Sequence, residues 1–195
     1  MKKEIKNDAD LMLQFKGGDQ SAFEHLFDIY HRPIINFCFR LLGNVSDAEE
    51  VAQETFLQVY RGATQYQPLA KFSTWLYTIA KNLSLNRIRD RHSERFYDIE
   101  SDEKEGNNLE ETLPAYTPSP ESEFSEKELS KIIERAVSKL PPSIRIPFVL
   151  NRYQEQSYEV IAEILEISVT AVTLRMHRAM RLLTKQLSPY INFKK

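Results

Sequence analysis

The chain has 195 residues, of which 42% are hydrophobic and 28% are charged, and it carries a formal net charge of −2. A chain of this length has room for one or two small domains, each with a modest hydrophobic core. Residues 1–13 are charged rather than apolar, and no apolar stretch reaches the roughly 18 residues that a membrane-spanning helix needs. We therefore expect a cytoplasmic protein that does not insert into a membrane.

The charge is unevenly distributed along the chain. Residues 98–128 contain eleven acidic side chains and two basic ones, a local net charge of −9, so the remainder carries a net charge of +7. This segment also contains three prolines and lacks helical periodicity. Its composition predicts an acidic linker at 96–125, extended or disordered when free, between a first domain at 1–95 and a second at 126–195.

Apolar residues in the first domain recur at steps of three and four, which predicts α-helices and no strand of useful length. The Gly-Gly-Asp sequence at 17–19 separates the first two helices, and residues 33–42 are predicted to form a further apolar helix. Ser46 and Asp47 are candidate N-caps of the next helix. The last helix of the domain is expected at about 72–91. Both domains are predicted to be all-α.

The helix at 47–60 combines a buried stripe with an acidic outer face. Its inward stripe consists of Ala48, Val51, Ala52, Thr55 and Val59. An acidic outer face usually serves solubility alone, but Phe56 and Leu57 beside it favour a docking surface with an apolar centre and a charged rim. The predicted docking residues are Asp47, Glu50, Gln53, Glu54, Phe56 and Leu57.

Aromatic and basic residues follow one another in the next part of the first domain. Aromatic rings at helical spacing can simply be core, yet here cations follow with little acid between. Exposed rings give unpaired bases a stacking surface worth about 1–3 kcal/mol each, and Lys and Arg side chains hold the phosphates. The predicted nucleic-acid residues are Tyr66, Phe72, Trp75, Lys81, Asn82, Arg87, Arg89 and Arg91.

Two helices joined by a tight turn close the second domain. Ser157 can cap a helix at 158–166, and Ser168 can cap a second helix that runs to about Leu187. In the second helix Val172, Met176, Ala179 and Leu183 share one face, while Thr170, Leu174, His177 and Arg181 lie opposite, flanked by Arg175 and Arg178. Residues 168–195 contain six Lys or Arg and no Asp or Glu. This pattern favours a DNA-binding helix-turn-helix, although an ordinary hairpin with a solvated cationic face is the alternative.

Enzymatic chemistry finds little support in the sequence. No metal-ligand spacing, carboxylate cluster, nucleophile–base pair or phosphate-binding glycine loop is present, so neither an enzyme nor a cofactor is predicted. The single cysteine, Cys38, cannot form an internal disulfide and lies in an apolar run. We expect it to act as a small buried hydrophobic residue rather than as a redox sensor.

Three segments together resemble a known family. These are 47–56, DAEEVAQETF; 72–82, FSTWLYTIAKN; and 157–162, SYEVIA. They are similar to segments of bacterial sigma factors of the extracytoplasmic-function group, and the resemblance covers nearly the whole chain outside the linker. It implies a transcription initiation factor with only the two domains called regions two and four.

The resemblance also implies partners and roles for these segments. The 47–58 helix is expected to bind the clamp helices of core RNA polymerase. Residues 66–91 are expected to recognise and melt the minus-ten promoter element, with Asn82 near the flipped base. The linker is expected to thread toward the RNA exit path, and an anti-sigma factor is a usual partner of the group. The implied readers of the minus-thirty-five element are Ser168, Thr170, Thr173, Leu174, Arg175, His177, Arg178 and Arg181.

The sequence departs from the family pattern at the start of the second helix of this pair. Thr173 stands where many relatives carry a basic residue, and Met180 replaces a later one. The cationic charge available for DNA is reduced, so the promoter sequence does not follow from the resemblance. A stand-alone helix-turn-helix regulator, with the first domain as an effector or dimerisation module, is the second hypothesis.

Overall fold

A computed structural model of the chain describes residues 7–101 and 126–191, and these residues are almost entirely helical. The described part contains no β-strand, which confirms the all-α prediction. Its helices are α1 (Asp8–Lys16), α2 (Gln20–Leu42), α3 (Val45–Gly62), α4 (Phe72–Ser101), α5 (Glu126–Ser138), α6 (Pro142–Arg152), α7 (Tyr158–Leu165) and α8 (Val169–Ile191), with a short 3-10 helix at Ala63–Gln65.

The helix expected at 33–42 is the second half of α2, so the prediction of a separate helix was wrong. Pro33 lies inside α2 and removes one backbone donor. Ile34, Phe37 and Cys38 directly after it are fully buried. Their burial after the proline stabilises the helix enough to offset the lost hydrogen bond.

The α3 helix begins earlier than Ser46 and Asp47 suggested. Gly43 ends α2 in the left-handed conformation, with φ 70°, and donates its N–H to the carbonyl of Phe39. Asn44 is then the N-cap of α3, because its side chain accepts a hydrogen bond from the N–H of Asp47 at 3.1 Å. Asp47 therefore lies within the first turn, where its charge suits the helix dipole.

Helices α1 to α4 enclose the core of the first domain. The inward stripe predicted on α3 is confirmed, since Ala48, Val51, Ala52, Thr55 and Val59 are all buried. Cys38 is also fully buried, as expected of a small hydrophobic residue. Burial raises the pKa of its thiol to about 12.

Helices α5 to α8 form the second domain around their own core. Ser157 accepts a hydrogen bond from the N–H of Val160, and Ser168 accepts one from the N–H of Ala171, so both predicted caps of the helix-turn-helix are present. Glu166 makes the turn in the left-handed conformation, with φ 55°. The stripe predicted on α8 is buried at Val172, Met176, Ala179 and Leu183.

The end of α4 and the contact between domains were not foreseen. The helix was expected to end near Arg91, but its backbone stays helical to Ser101, beyond the predicted domain boundary at residue 95. Residues 102–125 of the predicted linker lie outside the described residues. The two domains pack together, with α4 against α7 and α2 against α5 and α6.

Candidate docking and nucleic-acid surfaces

The predicted docking residues all belong to α3 and lie on one side of its first three turns. We call this side, with its six predicted residues, the docking surface. Glu50, Gln53 and Leu57 are exposed, whereas Phe56 is buried with 4% of its surface accessible. Asp47 and Glu54 are partly exposed. Acidic and polar side chains therefore lie beside the apolar side chains of Phe56 and Leu57 on α3.

A hollow of about 450 Å³ opens in the docking surface between α2 and α3. Phe56 and Leu57 line it from α3, and Phe27 and His31 line it from α2. The Phe27 ring lies 4.8 Å from the Phe56 ring and stacks on His31 at 4.5 Å, measured between centroids. The remaining lining residues are Phe23, Ile35, Glu49, Gln53 and Tyr60. A hollow of this shape can accept one or two apolar side chains of a partner.

Sequence reasoning missed the α2 half of this hollow. The residues of α2 recur at helical spacing, and such a pattern predicts core packing without showing which rings stay at the edge. In the structure Phe23, Phe27 and His31 are only partly buried. The signal that could have found them is an excess of aromatic residues over what the inward stripe of one helix requires.

Two residues predicted to contact nucleic acid instead bind the acids of α3 in this structure. Arg87 lies 3.3 Å from the carboxylate of Asp47 and 2.5 Å from that of Glu50. Arg91 pairs with Asp47 and donates to the carbonyl of Leu42 at 3.1 Å. These pairs tie α4 to the start of α3, and they neutralise part of the acidic rim.

The predicted aromatic surface is largely core. Phe72 and Tyr66 are 1% and 6% exposed, so neither ring offers a face for stacking in this conformation. Trp75 is partly buried, 5.2 Å from the Tyr66 ring between centroids. A Cβ atom added at Gly62 would come within 3.1 Å of the Trp75 ring, which shows how closely α3 approaches it. Of these three rings, only that of Trp75 is partly exposed.

The cations and the amide of α4 have unequal access to solvent. Asn82 and Arg89 are exposed, and Arg89 lies 3.6 Å from Asp90. Lys81 is 8% exposed and donates from Nζ to the carbonyl of Ile164, at the end of α7, at 2.9 Å. Burial lowers the pKa of Lys81, against a smaller opposing effect of Glu166.

The outer face of α8 is open to solvent, and we call it the reading face. Thr170, Leu174, His177, Arg178 and Arg181 are exposed along it. Arg175 and Thr173 are partly buried: Arg175 donates to the carbonyl of Ser143 at 3.4 Å and Thr173 to that of Val169 at 3.0 Å. Ser168 caps the helix. Side chains on such a face can reach base edges and phosphates in a major groove.

Further contacts between the domains involve residues outside the predicted site residues. Tyr77 donates to the side-chain carbonyl of Gln154 at 2.8 Å, and Thr74 donates to the carboxylate of Glu163 at 3.3 Å. The guanidinium of Arg40 lies 3.5 Å from the ring centroid of Tyr153, a cation–π contact. No local pattern predicts these pairs, because their partners lie 77 or more residues apart along the chain.

No group of three or more His, Cys, Asp or Glu side chains within 7–101 and 126–191 could hold a metal ion. None of the helices in these ranges has the length and apolar character needed to cross a membrane.

Comparison with known proteins matches both domains. A family model of sigma-70 region 2 matches residues 26–94, and one of sigma-70 region 4 matches residues 130–183. The chain is 41% identical over 174 residues to the ECF RNA polymerase sigma factor SigW of Bacillus subtilis (strain 168), which covers 89% of this chain and 93% of that protein.

Two solved structures share the fold. The first is CnrH in complex with the cytosolic domain of CnrY, with a TM-score of 0.69 and 23% identity, covering 93% of this chain and 97% of that one. The second is the sigma factor RpoE in complex with the anti-sigma factor NepR from Bartonella quintana, with a TM-score of 0.65 and 20% identity, covering 85% and 96%. Both confirm two helical domains in one chain.

Proposed function

Because this chain belongs to the extracytoplasmic-function group of RNA polymerase sigma factors, we propose that it binds core RNA polymerase, directs it to a small set of promoters and assists strand opening. The observation that carries this proposal is the pairing of two open surfaces of opposite character in one chain. The docking surface is acidic with an apolar hollow, and the reading face is cationic. The first suits a protein partner and the second suits DNA.

The docking surface is the proposed contact with core polymerase. Glu50, Gln53 and Leu57 are exposed at its rim, and the hollow behind them is empty of other parts of the described chain. An apolar anchor in such a hollow, surrounded by charge contacts, is the usual energetic centre of a protein interface. Charge complementarity then requires basic residues on the polymerase helices that fill it.

The exposed side of α4 is the proposed site of strand opening at the minus-ten element. Asn82 and the partly exposed Trp75 would meet an unpaired base, and Arg89 would hold the backbone, whereas Lys81 could do so only after leaving the carbonyl of Ile164. Tyr66 and Phe72 support Trp75 from within the core. Arg87 and Arg91 serve the strand only if they exchange their partners Asp47 and Glu50 for phosphates.

The reading face of α8 is the proposed contact with the minus-thirty-five element. Arg178 and Arg181 can bind phosphates or guanine edges, and His177, Thr170 and Leu174 complete the surface. Arg175 contributes after releasing Ser143, whereas Ser168 and Thr173 position the helix. With few cations on this face, its affinity for duplex DNA alone should be low.

Further expectations follow from the family. The protein acts where core polymerase is, in the cytoplasm, and supplies no catalysis of its own. An anti-sigma factor is a proposed partner, supported by the complex of RpoE with NepR among the structures of this fold. Such a partner would compete for the docking surface or for the side of α4.

Run-off transcription with purified core polymerase tests the proposal. We expect the protein to direct initiation from discrete positions on a genomic fragment library, and core polymerase without it to give no specific transcript. The absence of any promoter-specific product would overturn the proposal. Tight, sequence-specific duplex binding without polymerase would instead favour a stand-alone regulator, a reading that family membership does not favour.

A further inference from the structure

Helix α1 contacts the 3-10 helix and α4, although none of its residues belongs to a predicted site. Lys16 ends this helix, and its ammonium donates at 2.8 Å to the main-chain carbonyl of Tyr66, which lies 50 residues later in the chain. The N–H of Tyr66 donates to the carbonyl of Ala63 within the 3-10 turn, at 3.2 Å. The backbone of Tyr66 is therefore held by one local bond and by one bond from a distant helix.

The segment between Tyr66 and Phe72 is open to solvent. Residues 67–71 are all exposed, and Leu69 is 88% exposed. The residues on either side of the segment, Tyr66 and Phe72, are buried. Because the exposed residues bury little surface, the course of the segment depends mainly on how its two buried ends are held.

The hydroxyl of Tyr66 does not anchor its ring. It is buried and has no hydrogen-bond partner among the residues that the structure describes. Burial raises the pKa of Tyr66, and the charge of Asp8 raises it further. The position of the ring therefore depends on its aromatic neighbours and on the backbone that Lys16 holds, because the polar end of the side chain contributes no bond.

The indole of Trp75 packs against the Tyr66 ring. Its centroid lies 5.2 Å from that of Tyr66 and 6.1 Å from that of Phe72. The backbone of Gly62 also approaches the indole, since a Cβ atom added there would lie 3.1 Å from it. A shift of Tyr66 would thus remove one of three contacts that hold Trp75.

The other end of α1 acts on the second buried end of the exposed segment. Tyr30 of α2 donates its hydroxyl hydrogen to the carboxylate of Asp8, in the first turn of α1. The Tyr30 ring lies 5.5 Å from the Phe72 ring, measured between centroids. Lys16 therefore holds Tyr66, and Asp8 holds Phe72 through Tyr30.

We propose that Lys16 is a positioning residue for strand opening, which acts through Tyr66 to hold Trp75 where its partly exposed ring meets an unpaired base. The inference rests on the proposed function only in assigning Trp75 to that base. Lys16 itself contacts neither the promoter nor polymerase in this proposal. Its role is to keep Tyr66, and with it one wall of the Trp75 site, in place.

Tryptophan fluorescence tests the arrangement in the free protein. Trp75 is the single tryptophan of the chain, so its emission and its quenching by acrylamide report on this site without a label. Lys16→Met removes the donor and keeps an unbranched apolar side chain. We expect the quenching constant of Trp75 to rise about twofold, because the indole becomes more accessible when Tyr66 is released.

Two further variants control this measurement. Lys16→Arg keeps the charge and can donate to the same carbonyl, so it should restore quenching to nearly the wild-type value. Lys139→Met makes the same replacement at an exposed lysine of the second domain and should leave quenching unchanged.

Promoter melting tests the functional consequence. On a genomic fragment from which the wild type directs run-off transcription, Lys16→Met should reduce permanganate-reactive promoter about fivefold. Its affinity for core polymerase should change less than about twofold, since Lys16 lies outside the docking surface. Lys16→Arg should recover melting. A merely structural role would lower thermal stability, polymerase binding and melting together, so a thermal melt and a binding titration accompany the assay.

The outcomes separate this inference from the proposed function. Unchanged quenching in Lys16→Met, melting equal to that of the wild type, or equal losses of stability, binding and melting would each overturn the positioning role. Failure of Lys16→Arg to restore quenching and melting would overturn it as well. If the wild type itself melts no promoter, it is the proposed function that fails, whereas the quenching measurement still tests the contact of Lys16 with Tyr66. Increased quenching and selective loss of melting, both reversed by arginine, support the inference.

Discussion

The two sides of the first domain differ in what covers them. On the α3 side the docking hollow is open, with Leu57 40% exposed at its edge. On the α4 side the second domain covers the helix from Thr74 to Lys81. The difference is that the hollow on the α3 side is free for a partner, whereas the α4 side from Thr74 to Lys81 already has the second domain as its partner in this structure. Aromatic residues on the two sides also differ, since all those of the hollow except Phe56 are at least partly exposed, whereas Tyr66, Phe72 and Tyr77 on the α4 side are buried.

The largest expected effect is a loss of stability, which distinguishes a core aromatic residue of α4 from a partly exposed one. Replacing Phe72, which is 1% exposed, by alanine should lower the free energy of unfolding by about 3–5 kcal/mol, through lost burial and the cavity left behind. Urea denaturation of the purified variant measures this.

Trp75→Ala is the matched variant for Phe72→Ala. Because Trp75 is only partly buried, its replacement should lower the free energy of unfolding less than Phe72→Ala does. The amount of melted promoter, detected by its reactivity with permanganate, should fall more than the amount of assembled complex. If Phe72→Ala is as stable as the wild type while strand opening fails, the ring of Phe72 is a stacking surface. The distinction between an open α3 side and a covered α4 side would then be wrong.

The second largest expected effect is on binding to core polymerase, and it tests the docking surface on α3. Charge reversal in Glu50→Lys/Glu54→Lys should weaken binding to core polymerase by about 2–4 kcal/mol, because the acidic rim then repels a basic partner. Fluorescence anisotropy of labelled protein titrated with core enzyme measures the affinity. The double variant Glu24→Lys/Asp28→Lys makes the same change of charge at the same spacing, on exposed positions of α2 that do not line the hollow.

Two outcomes of this comparison would be decisive. Equal affinities for the two double variants would mean that net charge, and not the docking surface, controls binding to polymerase. Loss of affinity only in Glu50→Lys/Glu54→Lys would support the assignment. Because Glu50 also pairs with Arg87, a thermal melt must accompany the titration to show that the fold is retained.

Local sequence patterns correctly predicted the features that depend on a single helix. The stripe Val172, Met176, Ala179 and Leu183 follows the 3.6-residue period, and all four residues are buried. The caps Ser157 and Ser168 depend on bonds spanning three residues, so they could be read directly from the chain. The reading face follows from the same periodicity, because the residues opposite a buried stripe must face solvent.

Features that depend on two distant segments were not predictable in the same way. The hollow needs the angle at which α2 crosses α3, and the Lys81 contact joins residues 83 positions apart. Periodicity also cannot rank the exposure of Tyr66, Phe72 and Trp75, because each ring fits either a buried or an exposed position. At Pro33 the general rule that proline ends a helix was outweighed by burial of its neighbours.

A smaller effect examines the reading face, which like the docking surface is open in the free protein. Arg181→Ala should weaken duplex binding by about 1–2 kcal/mol and reduce the salt dependence of binding by about one phosphate contact. Gel-shift titrations at several salt concentrations, without polymerase, measure both. The effect must appear in the free protein, since Arg181 is exposed there. An effect seen only with polymerase would mean that this face is also covered.

The smallest expected effect concerns the packing beneath α4, where Ser84 donates to the thiol of Cys38 at 3.8 Å. Burial raises the pKa of Cys38 from its ordinary 9.0 to about 12, so the neutral thiol stabilises the fold below pH 9, and that stability is lost as pH rises from 9 toward 12. At pH 10 the loss attributable to this thiol should be about 1 kcal/mol relative to pH 8. Burial also raises the pKa values of Tyr30 and Tyr77, which adds a background slope of the same sign.

The variant Cys38→Ser separates the thiol from that background, because its hydroxyl does not ionise in this range. Urea denaturation of both proteins at pH 8 and pH 10 should show that the free energy of unfolding falls less between these pH values in the variant than in the wild type, whatever the variant's absolute stability. Hydrogen exchange at pH 10 should then show amides of α4 loosening before those of α3, since Ser84 belongs to α4 and α3 donates nothing to the thiol among the described contacts. Equal loosening of the two helices would mean that the α3 and α4 sides of the domain open as one unit.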